Sequence, residues 1–311
     1  MSEKYLILGS SGFLGTNIKD YFANTQTPPE KINYLEGSDE IDLTDFEQLN
    51  DKIESIKPTK VINCSSFVGG IAYGYKFPAK ILHLNSQMIL NIYRSCHINK
   101  VEMLVNPISN CAYPGALNYY QEDVFWDGKP HESVFNYALT RRLIVALGES
   151  YYKEYGFSSA NVVLSNMYGP NDHFDEERSH ALGALINKIH TAKKEEKSFV
   201  DIWGTGLPIR EWLYVKDGAK ALIKASSLNS GSHFFNIGVN KGISITDLAN
   251  KIADNLSWDG EFKYNTERPD GAKEKRVDGS LGEKILSWKP ETSLDQGLKA
   301  TIDWYLERQS T

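Results

Sequence analysis

Two stretches of this chain have residue types at spacings that could do chemistry. Tyr137 opens the run Tyr137-Ala-Leu-Thr-Arg141 at the start of a segment whose apolar spacing predicts a helix over 138–152. A residue four positions on lies one turn along the same helical face. The Arg141 cation would therefore favour tyrosinate and make the phenol a workable acid or base near neutral pH. A Tyr/Arg pair at this spacing also arises by chance among 17 tyrosines, so the pair needs its context. The second stretch is Gly9-Ser-Ser-Gly12-Phe13-Leu14-Gly15, which follows the apolar run Tyr5-Leu6-Ile7-Leu8 and precedes a helix-compatible segment to about Phe22. Glycine permits a positive φ in the turn, close approach of backbone to a pyrophosphate, and tight packing of helix on sheet. The helix N-terminus adds free N–H groups and a partial positive charge. Strand before and helix after distinguish a dinucleotide site from a structural turn.

Those residues need a scaffold, and the apolar pattern supplies one. Short apolar runs at 5–8, 32–35, 61–64, 103–105, 160–164 and 234–237 read as buried strands. Helical patterns fall between them at about 13–22, 39–51, 81–96 and 138–152, with a further α/β-like stretch at 213–228. This alternation implies a parallel sheet covered on both faces, a Rossmann-like doubly wound α/β fold. After Tyr168-Gly169-Pro170 the character changes to a loop, a helix at 181–194 and a strand at 199–203. A helix at 245–256, opened by Ser244 or Thr246, and a last helix from about Leu294 complete the chain. The expected division is a dinucleotide-binding domain from 1–170 plus 212–242. A smaller mixed α/β lobe from 171–211 plus 243–311 would hold the substrate.

Bulk properties narrow the partners. The 311 residues, 41% hydrophobic and 24% charged, allow a substantial core. A net charge of -6 excludes nucleic acid and anionic membrane as natural partners, because neither attracts an acidic surface. Cys64, Cys96 and Cys111 have neither zinc-ligand nor redox-motif spacing, and an odd count fits a reducing cytoplasm. The first apolar run is too short for a signal peptide or membrane span, so a soluble cytoplasmic protein without a metal is expected. Glu36, near the end of the second predicted strand, would accept a hydrogen bond from a ribose 2′-OH and repel a 2′-phosphate. No Arg occurs between Gly9 and Asp42, so NAD(H) is expected over NADP(H). The bland reading leaves Glu36 a solvated loop residue.

Ser109-Asn110-Cys111-Ala-Tyr113-Pro114, Tyr137 with Arg141, the glycine turn, Asn166-Met-Tyr168-Gly169-Pro170, and Trp203-Gly-Thr-Gly206 followed by Pro208-Ile-Arg210 span nearly the whole chain. In these segments the chain resembles the extended short-chain dehydrogenase/reductases (the NAD-dependent epimerase/dehydratase family) that modify nucleotide sugars. Val68-Gly69-Gly70-Ile71, the Ser-x-Cys-x-Tyr-Pro segment, Ser179-His180 and Pro269-Asp270-Gly271 look like the GDP-fucose synthases within it, which are 3,5-epimerase/4-reductases. The resemblance implies that Ser109 hydrogen-bonds the sugar C4 oxygen and that Tyr137 protonates it as hydride arrives. It implies Cys111 and His180 as the base and acid that invert carbons beside a 4-keto group, which acidifies the C3 and C5 protons. Arg210, Lys188 and Lys275 match positions that neutralise a nucleotide diphosphate, and Asn166 one that orients the sugar, with Trp203 beside them. Phe13, Leu14, Asp42 and Ser65 join Gly9, Gly12, Gly15, Glu36, Tyr137 and Arg141 as expected cofactor contacts. A homodimer through the helices at 81–96 and 138–152 would follow the superfamily's habit.

Three departures stand out. Arg141 replaces the family's Lys, exchanging a flexible point charge for a planar fork with different reach to the ribose. Ser11 and Glu36-Gly37-Ser38 stand where the fucose synthases present basic residues, and Asn110 where they have Ser. The leading expectation is a nucleotide-sugar 4-ketoreductase with C3/C5 epimerase activity on a GDP-4-keto sugar. A redox-neutral epimerase using tightly held NAD is the alternative within the same chemistry. A non-catalytic dinucleotide- or nucleotide-sugar-binding protein, supported only by Arg141, is the alternative from another class. Each residue also has a plainer reading: Cys111 as a small core side chain, His180 as a surface residue at a helix start, and Arg210 salt-bridged to Glu211. Tyr73, Tyr75, Tyr119 and Tyr120 would be packing rather than a sugar pocket.

Overall fold

A computed structural model describes residues 3–37, 40–69, 71–175, 179, 181–267 and 270–309. Strand β1 (Tyr5–Leu8) is wholly buried, and α1 (Phe13–Ala23) follows directly from the glycine turn. After β2 (Ile32–Leu35), α2 runs over Phe46–Ile56 and not from residue 39. The acidic stretch before it is a turn because Ile41 and Leu43 are buried in the core. The Asp42 carboxylate there accepts from Thr44 N–H and Oγ1, at 2.8 and 2.7 Å. Asp45 then caps the helix by accepting from Gln48 N–H at 3.1 Å.

Strand β3 (Lys60–Asn63) leads through α3 (Ile71–Lys76) into α4 (Pro78–Ile98) and β4 (Met103–Ser109). The short β5 (Tyr119–Tyr120), the long α5 (Phe135–Tyr155) and β6 (Ser159–Leu164) follow. The second half adds β7 (Met167–Tyr168), α6 (Ala181–Lys194), β8 (Phe199–Trp203), β9 (Ile209–Glu211), β10 (Leu213–Tyr214) and α7 (Val215–Ala225). It ends with β11 (Ser232–Ile237), β12 (Gly242–Ser244), α8 (Ile245–Leu256), β13 (Glu261–Asn265), β14 (Glu274–Val277), α9 (Ser280–Leu286) and α10 (Leu294–Gln309).

Six strands form one parallel sheet in the order β11-β6-β4-β3-β1-β2, in register from Tyr5 opposite Ile32 to Ile237 opposite Leu164. Apolar side chains fill both faces. Leu6, Leu8, Ile53, Ile92 and Val145 share one core with α2, α4 and α5, whereas Ile7, Ile18, Val162 and Leu222 share the other with α1 and α7. A third core joins α6, α8 and α10 through Ile186, Ile252 and Ile302. Sequence order reverses between β2 and β3, on either side of β1. The crevice at the carboxyl ends of β1 and β3 is therefore the switch point where such sheets take ligands. Short strands missed by the apolar pattern build a second sheet, β12-β9-β14-β5. Among the described residues no helix is long and apolar enough to cross a membrane.

Candidate active site

The glycine turn leaves β1 at that switch point. Gly9 has φ +69°, and a Cβ on it would lie 2.8 Å from Ser65 N and 2.9 Å from Ser65 Cα. A Cβ on Gly15 would fall 2.3 Å from the Gly9 carbonyl oxygen. These two glycines are thus required by the protein's own packing. Gly12 is not: its Cβ would meet only the Gly9 oxygen, at 3.5 Å. Its bareness instead opens the approach to the N-terminus of α1, which has no side-chain cap, so the Phe13 and Leu14 N–H groups head an uncapped turn. The buried hydroxyls of Ser10 and Ser65 lack hydrogen-bond partners among the described residues. Uncapped N–H groups, two orphaned hydroxyls and a bare Gly12 fit a dinucleotide pyrophosphate. Gly9→Ala is expected to combine left-handed strain with the backbone clash at Ser65, costing about 2–3 kcal/mol. Thermal denaturation and dinucleotide titration of the variant check this.

Glu36 directly follows β2, as expected, but its carboxylate is ion-paired with Lys19. The pair is partly exposed, so it is weak and yields readily to a better partner. Asp42 turns its carboxylate into its own chain, where the Thr44 hydroxyl and N–H hold it below the ordinary range.

Tyr137 lies in the first turn of α5, and the Arg141 guanidinium carbon sits 4.7 Å from the centre of its ring. Arg141 is 3% exposed; its Nη2 donates to Asn85 Oδ1 at 3.3 Å and its Nε to Thr140 Oγ1 at 3.4 Å. The cation therefore packs on the face of the phenol. The Tyr137 hydroxyl lies within hydrogen-bond distance of Ser66 Oγ, at 3.3 Å. Asn85 and Ser66 were not anticipated. Asn85 lies one turn from both Ile81 and Ile89 on the buried face of α4, and a polar residue within an apolar stripe was the available signal. Ser66 offered none, because only the fold brings it 71 positions to Tyr137.

Ser109 ends β4, and its Oγ accepts from Cys111 N–H at 3.4 Å. Cys111 is half-buried and free. Burial pushes its thiol up, while the Ser109 hydroxyl, Arg141 and Lys275 act to lower it. Lys275 stands opposite Arg210 in the β14–β9 register, and burial lowers the pKa of both cations. Neither forms an ion pair among the described residues, and the like charge of Arg210 lowers Lys275 further. Glu211 fixes them in place. It is fully buried, accepts from Val277 N–H at 2.6 Å, Asn240 N–H at 3.1 Å and Val239 N–H, and so ties β9 to β14. The plainer reading of Arg210 and Glu211 as a salt bridge does not hold, since Arg210 Nη1 donates to the Ile209 carbonyl at 2.8 Å. Adjacent strand residues point to opposite faces.

Asn166 completes this side: its Nδ2 donates to the Glu211 carbonyl at 3.0 Å, and its Oδ1 accepts from Asn110 Nδ2 at 3.3 Å. Lys188 and Trp203 form a separate pair, with Nζ 5.1 Å from the ring centre. Tyr120 is buried and stacked on Tyr113, with burial pushing its phenol to about 12, and Tyr73 packs on Phe67 and Phe77. His180, Gly70 and Pro269 lie outside the described residues.

The loop after Tyr168-Gly169-Pro170 holds one more titratable group. Burial raises the Asp172 carboxyl from 3.8 to about 7, opposed by the His173 N–H that it accepts at 2.8 Å. A folded-state value above the unfolded one contributes stability that is present below pH about 4 and lost as pH rises through about 7. Asp172→Asn is therefore expected to gain about 1–2 kcal/mol over the parent at pH 8, since partial exposure screens the burial cost, with the gain shrinking toward pH 4.5. Denaturant midpoints at the two pH values check it.

Comparison with known proteins agrees with this geometry. The model of the NAD dependent epimerase/dehydratase family matches residues 5–238. GDP-L-fucose synthase 1 of Arabidopsis thaliana is 31% identical, over 98% of this chain and 94% of its own length. GDP-L-fucose synthase of Escherichia coli is 30% identical, over 99% and 98%. The crystal structure of a GDP-L-fucose synthetase from Naegleria fowleri bound to NADP superimposes with a TM-score of 0.89 at 25% identity, covering 100% of this chain and 96% of that one. With the matched span covering the whole parallel sheet and its crevice, the chain is an enzyme of the NAD dependent epimerase/dehydratase family.

Proposed function

We propose that this enzyme is a 4-ketoreductase of a GDP-4-keto sugar that also epimerises the carbons beside the ketone. The observation that carries the reading is Cys111, held beside Ser109 under the influence of two cations, Arg141 and Lys275. A redox-neutral C4 epimerase has no use for a thiol there. A non-catalytic binder has no use for a cation packed on Tyr137. The GDP-L-fucose synthases among the relatives support the same reading.

The glycine turn, with the uncapped N–H groups of α1, would hold a reduced nicotinamide dinucleotide, which when bound would supply the hydride for reduction at C4. Tyr137 gives its proton to the C4 oxygen, Ser109 hydrogen-bonds that oxygen, and Arg141 offsets the charge left on the phenolate. Cys111 removes a proton from the carbon next to the ketone, and His180 returns one from the opposite face. Arg210, Lys275 and Lys188 offset the diphosphate charge, Trp203 packs against the nucleotide, and Asn166 orients the sugar. The sugar is held by the lobe built from 171–211 plus 243–311, against the dinucleotide domain of 1–170 plus 212–242. The enzyme works in the cytoplasm, in keeping with three free cysteines, and as a homodimer. Its interface is the α4–α5 face, where Leu90 and Tyr152 are exposed. Nucleic acid and membrane have no part in this reading.

NAD(H) is preferred to NADP(H), because the Glu36 carboxylate after β2 would oppose a 2′-phosphate. This is where the chain would part from the Naegleria fowleri protein solved with NADP. With GDP-4-keto-6-deoxymannose as substrate, nicotinamide absorbance should show kcat/KM at least about tenfold higher for NADH than for NADPH, and Glu36→Ala should erase the difference. A preference for NADPH would overturn the role of Glu36; oxidation of neither cofactor would overturn the substrate.

A further inference from the structure

The Tyr137 oxygen has one hydrogen-bond partner among the described residues, Ser66 Oγ at 3.3 Å. Arg141 lies on the ring face instead. Ser66 Oγ is also 3.3 Å from Asn85 Oδ1. That carbonyl oxygen already accepts from Phe67 N–H at 3.0 Å and Arg141 Nη2 at 3.3 Å. A carbonyl oxygen has two lone pairs, so Ser66 competes as a third donor. Asn85 cannot turn away to relieve the crowding, because its Nδ2 donates to the Phe67 and Ile81 carbonyls at 2.8 Å each. The Ser66 proton is therefore held loosely by Asn85 and lies within reach of Tyr137.

We propose that Ser66 is a further catalytic residue, whose hydroxyl reverses its hydrogen bond with Tyr137 as that residue gives up and regains its proton. With neutral phenol, Tyr137 donates to Ser66 Oγ and Ser66 donates to Asn85. Once the phenolic O–H breaks and the C4 O–H forms, Ser66 rotates and donates to the phenolate. Ser66 itself gains and loses no proton. This rests on the reading of Tyr137 as proton donor to C4. Titratable groups around this cluster are Arg141 on the Tyr137 ring face, Cys111 under the influence of Arg141, and, against Phe67 beside Ser66, Tyr73 on α3 and Lys80 on α4. Exchanging the uncharged Ser66 leaves all four in place, and α4 also contributes the uncharged Asn85.

The test is a tyrosinate absorbance titration of the full-length protein without substrate. It is read as the difference between each parent and its Tyr137→Phe partner, in wild type, Ser66→Ala and Ser66→Thr backgrounds. Loss of one hydrogen bond to the phenolate should raise the Tyr137 midpoint in Ser66→Ala by about half to one pH unit. Ser66→Thr, which restores the hydroxyl, should return it to the wild-type value. The alkaline limb of kcat/KM for reduction, which needs protonated phenol, should move by the same amount. An unmoved midpoint in Ser66→Ala would overturn the proposal, as would a Thr variant shifted as far as the Ala variant. A moved midpoint beside an unmoved limb would remove Tyr137 as proton donor, and with it the catalytic part of Ser66, while leaving the hydrogen bond intact.

Discussion

Replacing Tyr137 with phenylalanine is expected to lower C4 reduction by about 10³-fold while leaving dinucleotide affinity nearly unchanged. The exchange removes one oxygen and keeps the ring, so the guanidinium of Arg141 retains the face on which it packs. Its hydrogen bonds to Asn85 and Thr140 do not involve the phenolic oxygen, and the helix should keep its position. The glycine turn lies on a different element and owes nothing to that oxygen. What disappears is the phenolic proton that the proposed mechanism gives to the C4 oxygen. A serine cannot substitute as the acid, because its anion is far too basic to be left behind near neutral pH. Single-turnover reduction and dinucleotide titration of the variant separate the two effects. Turnover at the parental rate would remove Tyr137 from the mechanism.

Cys111→Ser carries the second large effect. Solvent-deuterium exchange at the carbons beside the ketone should fall by at least about 10²-fold, because a serine hydroxyl at this site cannot take a carbon-bound proton. Reduction of the unepimerised sugar should continue, since the Ser66–Tyr137–Arg141 cluster is made by other side chains. Ser109 Oγ also accepts from the Cys111 backbone N–H, a bond that serine preserves. Burial pushes the thiol up while Arg141 and Lys275 pull it down, so exchange in the parent should rise with pH as the thiolate fraction grows. Exchange undiminished in the variant would assign the base to another residue.

The parallel sheet was readable because its strands carry short apolar runs, and two of them, 5–8 and 32–35, have their ends where the pattern put them. Ser244 was likewise readable as a cap and does accept from Asp247 N–H at 3.0 Å. The helix at 39–51 was misplaced because acidic residues suit a helix start and a turn equally. Burial of Ile41 and Leu43 decided for the turn. Strands β5, β9, β12 and β14 were invisible for a different reason. They are two to four residues long and partly polar, and β9 and β14 are tied by Glu211, which gathers three N–H groups from two distant segments. At the candidate site, motifs pointed to the glycine turn, Ser109, Cys111 and Tyr137. They did not give Ser66 or Asn85, whose roles come from three-dimensional neighbours and leave no spacing to read. Arg141 was legible as a departure, but its consequence was not: burial and the bond to Asn85 place its charge on the ring face of Tyr137.

The central claim joins two activities at one ketone, and one incubation tests both. The enzyme is given GDP-4-keto-6-deoxymannose and NADH in deuterated water, and product mass is followed together with nicotinamide absorbance. The account predicts cofactor oxidation in step with reduced product that carries solvent deuterium at C3 or C5. Reduction without deuterium would contradict the epimerase half and the role of Cys111, and deuterium uptake without cofactor oxidation would contradict the reductase half and the role of Tyr137.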